Sequence, residues 1–88
     1  MAFYVYILKC ANEAFYTGWS TDPLRRLKQH NNGHGARYTR VNGPATLVYF
    51  EEQPDRASAQ RREAEIKRWD HARKQNLIAG NPVNAHGD

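Results

Sequence analysis

The segment from Phe3 to Leu8 constrains the fold of this 88-residue chain more than any other part of the sequence. It is a nearly unbroken run of aromatic and aliphatic residues, which is typical of a strand buried on both faces. A short turn separates it from a second β-prone run, Phe15 to Trp19, so the two runs predict a hairpin. A third run, Ala45 to Phe50, follows Pro44 and predicts one more strand. Three strands are too few to close a barrel.

Three aspartates stand where they can cap the free amide groups at the start of a helix. The predicted helices run from about Pro23 to His30, from about Arg56 to Trp69, and from Asp70 to a point before Gly80. The element order β-β-α-β-α-α predicts an α+β fold, in which helices flank a small three-stranded antiparallel sheet. We expect residues 1–80 to form one domain and residues 81–88 to form a disordered tail.

The charge balance of the chain points to a polyanionic partner. Lysine and arginine outnumber the acidic residues 13 to 9, which gives a formal net charge of +4. Such a balance favours nucleic acid as the partner, although the same charge can serve solubility alone. The position of the basic residues has to decide between these two interpretations.

The single cysteine, Cys10, bears on the compartment in which the protein works. It excludes an internal disulfide and a cysteine-based metal cluster, and it favours a reducing compartment. The start of the sequence lacks the basic leader of a signal peptide, and the longest apolar stretch is far short of the roughly 20 residues that span a membrane. We therefore expect a cytoplasmic protein with no membrane anchor and no disulfide-linked partner.

Tyrosines on the first two strands form the first group of candidate functional residues. Side chains alternate along a strand, so Tyr4 and Tyr6 share one face of the first strand, and Tyr16 shares a face of the second strand with Gly18. A glycine two residues from a tyrosine leaves a groove beside the ring, which can admit a ligand or a backbone. The alternative is that these tyrosines belong only to the core, because strands favour tyrosine in general.

The first helix carries a candidate phosphate-binding pair. Leu24 and Leu27 predict its inward face, and Arg26 and His30, four residues apart, lie at the border of that face. Arginine suits phosphate because its planar fork donates parallel hydrogen bonds and stays charged, and histidine adds a group that transfers protons near neutral pH. The alternative is an ordinary solvated helix face.

The second long helix brings one or two carboxylates to the border of its apolar face. Ala59, Ile66 and Trp69 are its apolar positions, and Glu63 lies four residues after the first of them and three before the second. Glu65, four residues before Trp69, is nearly as well placed. Helical geometry alone does not choose between the two, and either can simply pair with neighbouring basic residues.

Taken together, these residues resemble a known family. A Tyr4-Val5-Tyr6 strand, a Tyr16-Thr17-Gly18 strand, Arg26 and His30 on the next helix, and Glu63 later resemble the GIY-YIG nuclease domain. The resemblance covers residues 4–69, and the small size resembles the stand-alone bacterial branch of uncharacterised proteins. Two positions differ from the family pattern, since Tyr4 stands for the glycine of the first motif and Thr17 for the isoleucine of the second. Neither difference removes a reacting group.

The resemblance implies a function and a set of catalytic residues. The family hydrolyses nucleic-acid phosphodiester bonds with one divalent metal ion, so it implies an endonuclease that uses Mg²⁺ or Mn²⁺ and takes part in DNA repair or processing. It assigns catalytic roles to Tyr6, Tyr16, Arg26, His30 and Glu63, with Glu63 as the metal ligand. Many members also place an asparagine near the end of the domain, for which Asn76 is the nearby candidate.

The identity of the general base is open at this point. The resemblance favours Tyr6, but an unperturbed tyrosine has a pKa of about 10, so work near pH 7 needs a downward shift of about 3 units. The ordinary pKa of His30 is about 6.5, so this residue can take the proton itself or relay it from Tyr16. The sequence therefore does not choose between Tyr6 and His30 as the general base.

Five further residues are candidates for binding nucleic acid. Four are basic and one is an aromatic residue that can stack on an unpaired base, namely Arg25, Lys28, Arg37, Arg40 and Tyr38. No helix has a pattern that reads a major groove, so we expect low sequence specificity, with DNA preferred to RNA. A nucleic-acid-binding module without catalysis and a protein-interaction domain are the alternative functions.

Overall fold

The computed structural model describes residues 2–32 and 44–81. Their elements are β1 (Phe3–Cys10), β2 (Phe15–Ser20), α1 (Pro23–Asn31), β3 (Ala45–Gln53), α2 (Arg56–Lys67) and α3 (His71–Gly80). The predicted α+β class and the order β-β-α-β-α-α are therefore confirmed. Most of the predicted tail, residues 82–88, lies outside the described residues, so its disorder stays a prediction.

The sheet has the strand order β2-β1-β3, and both pairings are antiparallel. The central position of β1 explains its apolar sequence, because helices pack on both of its faces. Each residue from Val5 to Leu8 is at most 1% exposed. The strand buried on both faces is thus found where the sequence predicted it.

The third strand is longer than its apolar segment. It continues past Phe50 to Gln53, and Glu51 and Glu52 pair with Val5 and Tyr4 of β1. Backbone hydrogen bonding extends this edge strand, and the half-buried side chain of Glu51 pairs with Arg62 of α2 at 2.9 Å. The prediction from hydrophobicity alone, which ends the third strand at Phe50, therefore stops short of the observed end at Gln53.

An irregularity in β3 lets one strand serve both faces of the sheet. Ile7 pairs with Tyr49 and Leu8 pairs with Leu47, which leaves Val48 as an extra residue. Such a bulge reverses the alternation of side chains beyond it. Tyr49 consequently packs with Ile7, whereas Leu47 packs on the other face with Leu8.

Two core clusters lie on opposite faces of the sheet. The cluster on the side of α2 and α3 contains Val5, Ile7, Tyr49, Ala59 and Ile66, with Trp69, Leu77 and Ile78 packed against it. The cluster on the side of α1 contains Tyr6, Leu8, Cys10, Ala45 and Leu47, with Tyr16 and Leu27 packed against it. Tyr6 and Tyr16 thus lie on the same side of the sheet, the side of α1, because the register of the hairpin pairs Tyr6 with Gly18.

Aspartate side chains cap the three helices of the described residues, as predicted. Asp22, Asp55 and Asp70 accept hydrogen bonds from the backbone amides of Arg25, Ser58 and Arg73 at 3.2, 2.7 and 2.8 Å. At the other end of α1, the Asn31 side chain donates to the carbonyl of Ala45 at 2.9 Å and accepts from its amide at 2.7 Å. The C-terminal end of α1 is therefore tied to the start of β3.

The predicted inward face of α1 is wrong by one helical position. Leu24 is 66% exposed, whereas Pro23 and His30 are buried and Leu27 is half-buried. The buried stripe therefore consists of Pro23, Leu27 and His30, which follow one another at spacings of four and three. Pro23 can occupy a core position because its ring is compact and apolar. At the first residue of a helix, the missing backbone amide donor of proline costs no intrahelical hydrogen bond.

None of the helices in the described ranges is long and apolar enough to cross a membrane.

Candidate active site

An open groove of about 450 Å³ lies where β1, β2, α1 and α2 meet. Four of the five predicted catalytic residues line it, although they are distant in sequence. The lining consists of Tyr6, Tyr16, Gly18, Trp19, Ser20, Thr21, Arg26, Arg56 and Glu63. The fold thus brings Tyr6, Tyr16, Arg26 and Glu63 to one surface, and the roles assigned to them stay predictions.

Gly18 allows the ring of Tyr6 to lie across β2. The two residues are direct cross-strand partners. A Cβ atom at position 18 would lie 2.7 Å from the Tyr6 hydroxyl oxygen and 2.8 Å from the ring carbon that bears it. Real side chains do not approach so closely, so any residue other than glycine would displace the tyrosine. The glycine is therefore part of the geometry of the groove.

The surroundings of Tyr6 oppose ionisation of its hydroxyl. The residue is 1% exposed, and burial raises the pKa of Tyr6 above its ordinary value of 10.0. Hydrogen bonding and positive charge from Arg26 lower this pKa, whereas Tyr16 and Glu63 raise it further. The raising effects are larger, so Tyr6 is a neutral phenol at pH 7.

Arg26 presents its guanidinium to the groove with few competing contacts. The residue is exposed on α1, and its Nη1 donates a hydrogen bond of 3.3 Å to Gln29 Oε1. The ion pairs among the described residues use Lys9, Arg62 and Lys67 as cations. Arg26 therefore retains donors that can bind an anion entering the groove.

The structure separates the two carboxylates that helical geometry left equivalent. Glu63 lines the groove with its side chain 21% exposed, and its Oε2 lies 3.5 Å from Lys67 Nζ. Glu65 is 48% exposed and accepts a hydrogen bond of 3.0 Å from Arg62 Nη1. Glu63 is thus the carboxylate that faces the other candidate residues.

His30 lies beneath the groove instead of lining it. The residue is 2% exposed and belongs to the buried stripe of α1. Its ring meets the ring of Tyr16 edge-on, with 5.0 Å between centroids. Burial and the charge of Arg26 lower the pKa of His30 below 6.5, so the imidazole is neutral at pH 7. Tyr16, which lines the groove, is thus in direct contact with the buried His30.

The other predicted residues are more scattered. Arg25 and Lys28 are exposed on α1, and Asn76 is exposed on α3 without being part of the described groove lining. Three predicted contacts with nucleic acid lie outside the described residues, namely Arg37, Tyr38 and Arg40. Arg25 and Lys28 are thus the predicted contacts that the structure shows to be accessible.

Sequence reasoning missed several residues of the groove, of which Arg56 has the most chemistry to offer. A signal for it existed, because Arg56 precedes Glu63 by seven residues, or about two helical turns, and so shares its side of α2. Trp19, Ser20 and Thr21 were missed because their part in the groove depends on how α1 packs against the end of β2.

The donor set of the groove fits a magnesium-type ion. No group of three or more His, Cys, Asp or Glu side chains suited to a metal occurs within residues 2–32 and 44–81. A single carboxylate in an open groove is nevertheless what Mg²⁺ commonly uses, because this ion keeps several waters and takes substrate phosphate oxygens as further ligands. Glu63 is the residue that would hold such an ion.

Comparison with known proteins identifies the family. The family model described as the GIY-YIG catalytic domain matches residues 2–76. The chain belongs to the GIY-YIG family. Among curated relatives, the UPF0213 protein of Clostridium perfringens is 49% identical over 80 residues, which cover 91% of this chain and 86% of the relative. The UPF0213 protein of Haloquadratum walsbyi is 49% identical over 74 residues, which cover 84% and 83% of the two chains.

A solved structure supports the same assignment for this GIY-YIG protein. The solution NMR structure of the UPF0213 protein from Bacillus halodurans matches with a TM-score of 0.60 and 41% identity. The match covers 94% of this chain and 88% of the other chain. The predicted resemblance to the small stand-alone branch of the family is therefore confirmed.

Proposed function

We propose that this GIY-YIG protein is a divalent-metal-dependent endonuclease that hydrolyses phosphodiester bonds of nucleic acid, in DNA repair or processing. Family membership suggests nuclease-type chemistry in general. The observation that carries the specific proposal is the convergence of Tyr6, Tyr16, Arg26 and Glu63 on one open groove. These side chains supply the hydrogen-bond donors, the positive charge and the carboxylate that phosphodiester hydrolysis requires.

Each residue of the groove has a distinct task in this proposal. Arg26 binds the scissile phosphate and neutralises the charge that develops on it in the transition state. Glu63 holds Mg²⁺ or Mn²⁺, which would polarise the phosphate and stabilise the leaving oxygen. Tyr6 takes the proton of the attacking water as general base, and Tyr16 contacts that water and orients it. Solvent reaches the groove directly, so hydrolysis needs no separate path for water.

The surface around the groove suits a polyanion of low sequence specificity. Arg25 and Lys28 are exposed on α1, and the full chain has a formal net charge of +4. Basic side chains on a helix surface bind phosphates without reading bases. We expect DNA in preference to RNA, and a cytoplasmic location in keeping with the free thiol of the buried Cys10.

The proposal predicts cleavage that depends on a divalent metal. The purified protein should cut labelled DNA oligonucleotides in Mg²⁺ or Mn²⁺. Cleavage should stop when EDTA is added, because the Glu63 carboxylate cannot polarise the phosphate without the ion. Gel electrophoresis of the products with single-stranded DNA, duplex DNA and RNA as substrates measures activity and preference together. Salt-dependent binding without cleavage in either metal would support the non-catalytic binding module instead.

The pH dependence of cleavage should identify the general base, and we assign this role to Tyr6 because its hydroxyl lies in the groove. The charged groups that act on it are Arg26, which lowers its pKa, and Glu63, which raises it together with Tyr16. Since the pKa of Tyr6 lies above 10, its ionised fraction grows about tenfold per pH unit from pH 7 to 9, and kcat/KM should rise accordingly.

Two variants separate this assignment from a role for His30. Tyr6→Phe should lower kcat/KM by about 10²–10⁴-fold and flatten the rise with pH. His30→Gln should keep the rise, because the lowered pKa of His30 means that the imidazole is already neutral throughout this range. A wild-type profile that is flat above pH 7 and falls in acid, with the fall lost in His30→Gln, would transfer the role to His30.

A further inference from the structure

Arg56 reaches the groove from a different helix than Arg26. It is the first residue of α2 and is exposed, whereas Arg26 belongs to α1. Both residues line the same groove. Two arginines on different elements therefore face one cleft, and only Arg26 is accounted for by the proposed chemistry.

Aromatic rings hold the guanidinium of Arg56 in position without occupying its donors. Its central carbon lies 5.8 Å from the centroid of the Trp19 ring and 6.0 Å from that of Phe3. These two rings pack on each other at 6.3 Å between centroids. A cation over aromatic faces gains from the ring electrons, and its N–H groups stay free to bind an anion. The guanidinium thus lies against the two rings beside the groove, with its donors available.

The neighbouring arginines of α2 are engaged in a different way. Arg61 donates to the hydroxyl of Ser58 at 3.2 Å. Arg62 forms ion pairs with Glu51 at 2.9 Å and Glu65 at 3.0 Å. Within residues 2–32 and 44–81, no carboxylate forms an ion pair with Arg56. Of these three arginines, Arg56 alone lines the groove, and its charge is not neutralised by an acidic neighbour.

We propose that Arg56 forms a second phosphate-binding subsite in the groove, for the phosphate next to the one that Arg26 holds. The proposal rests on the proposed function only in taking a nucleic-acid strand as the ligand. Arg56 and Glu63 are seven residues apart, which corresponds to about 10 Å along a helix. This separation lets Arg56 contact a phosphate other than the one being hydrolysed. The strand then runs along α2 from Glu63 toward the start of the helix.

The test measures binding in EDTA, so that cleavage does not enter the result. Fluorescence anisotropy with a labelled single-stranded oligonucleotide, from 50 to 200 mM KCl, gives the slope of log K against log salt concentration. Loss of one phosphate contact should reduce this slope by about 0.7 in Arg56→Gln. Arg56→Lys should keep the slope because it keeps the charge. Circular dichroism melting confirms that each variant is folded.

Arg61→Gln is the matched control, because it removes the same charge from an exposed position on the same helix. We expect it to leave the slope within error of the wild-type value. Equal slopes for wild type and Arg56→Gln, or equal losses in Arg56→Gln and Arg61→Gln, would overturn the subsite and leave the proposed nuclease function untouched. Absence of salt-dependent binding by the wild-type chain would instead contradict a nucleic-acid substrate itself.

Discussion

Glu63→Gln should abolish metal-dependent cleavage, with a loss of kcat on the order of 10³-fold, while nucleic-acid binding persists. Glutamine keeps the size of the side chain but removes the negative charge that holds the ion. Losing the ion removes several kcal/mol of transition-state stabilisation, and each 1.36 kcal/mol is a factor of ten in rate. Cleavage in Mg²⁺ and anisotropy binding in EDTA are measured on the same preparation.

Glu65→Gln is the matched control, since it removes the same charge two residues away on α2. Glu65 pairs with Arg62 and is not part of the described groove lining, so its loss should leave kcat within about twofold of wild type. Neither change should affect stability much, because Glu63 pairs with an exposed lysine, Lys67, one turn along the helix, and helix ion pairs of this kind contribute at most about 1 kcal/mol. Equal cleavage by wild type and Glu63→Gln would remove Glu63 from the metal site.

The fold could be predicted from the sequence because its strongest local signals agree with its tertiary structure. The apolar run of β1 marks a central strand, and three capping aspartates mark the starts of α1, α2 and α3. What the sequence could not show was where pairing extends beyond hydrophobic residues. The end of β3 and the bulge at Val48 follow from hydrogen bonding with β1, which leaves no trace in the composition of β3 alone.

The candidate site could be predicted only in part, because helical periodicity defines the buried face of a helix only to within one residue position. That uncertainty put Leu24 on the inward side of α1 and His30 at its border, whereas packing buries His30 under Tyr16. For the same reason, the sequence could not choose between Glu63 and Glu65. The structure distinguishes them, because only one side of α2 packs against the sheet. Arg56 was missed for another reason, since an arginine at the start of a helix resembles an ordinary solvated residue.

The contact between Tyr6 and Gly18 is a feature that the local sequence motifs do not determine. The sequence places Tyr6 and Gly18 on separate strands, and only the register of the hairpin makes them direct partners. That register places the Tyr6 hydroxyl over Gly18, which has no side chain. The close approach of this ring to the backbone of β2 is therefore a tertiary feature, which can be tested by adding a single carbon atom.

Gly18→Ala should lower kcat by about 10²-fold and destabilise the fold by about 1–3 kcal/mol. The added Cβ would lie 2.7 Å from the Tyr6 hydroxyl, so the buried ring has to move, and a displacement of about 1 Å in a catalytic group can cost that much in rate. Urea unfolding and cleavage assays measure the two effects. Gly80→Ala is the control, because a Cβ there meets nothing within 4 Å.

A double-mutant cycle shows whether the effect of Gly18→Ala passes through Tyr6. In a Tyr6→Ala background the space beside position 18 is empty, so adding Gly18→Ala should cost less than about 0.5 kcal/mol of further stability. An additive loss would place the strain elsewhere in β2. A Gly18→Ala variant with wild-type stability and rate would show that the ring of Tyr6 adapts, and the close approach of Tyr6 to Gly18 would then not be what holds the hydroxyl in the groove.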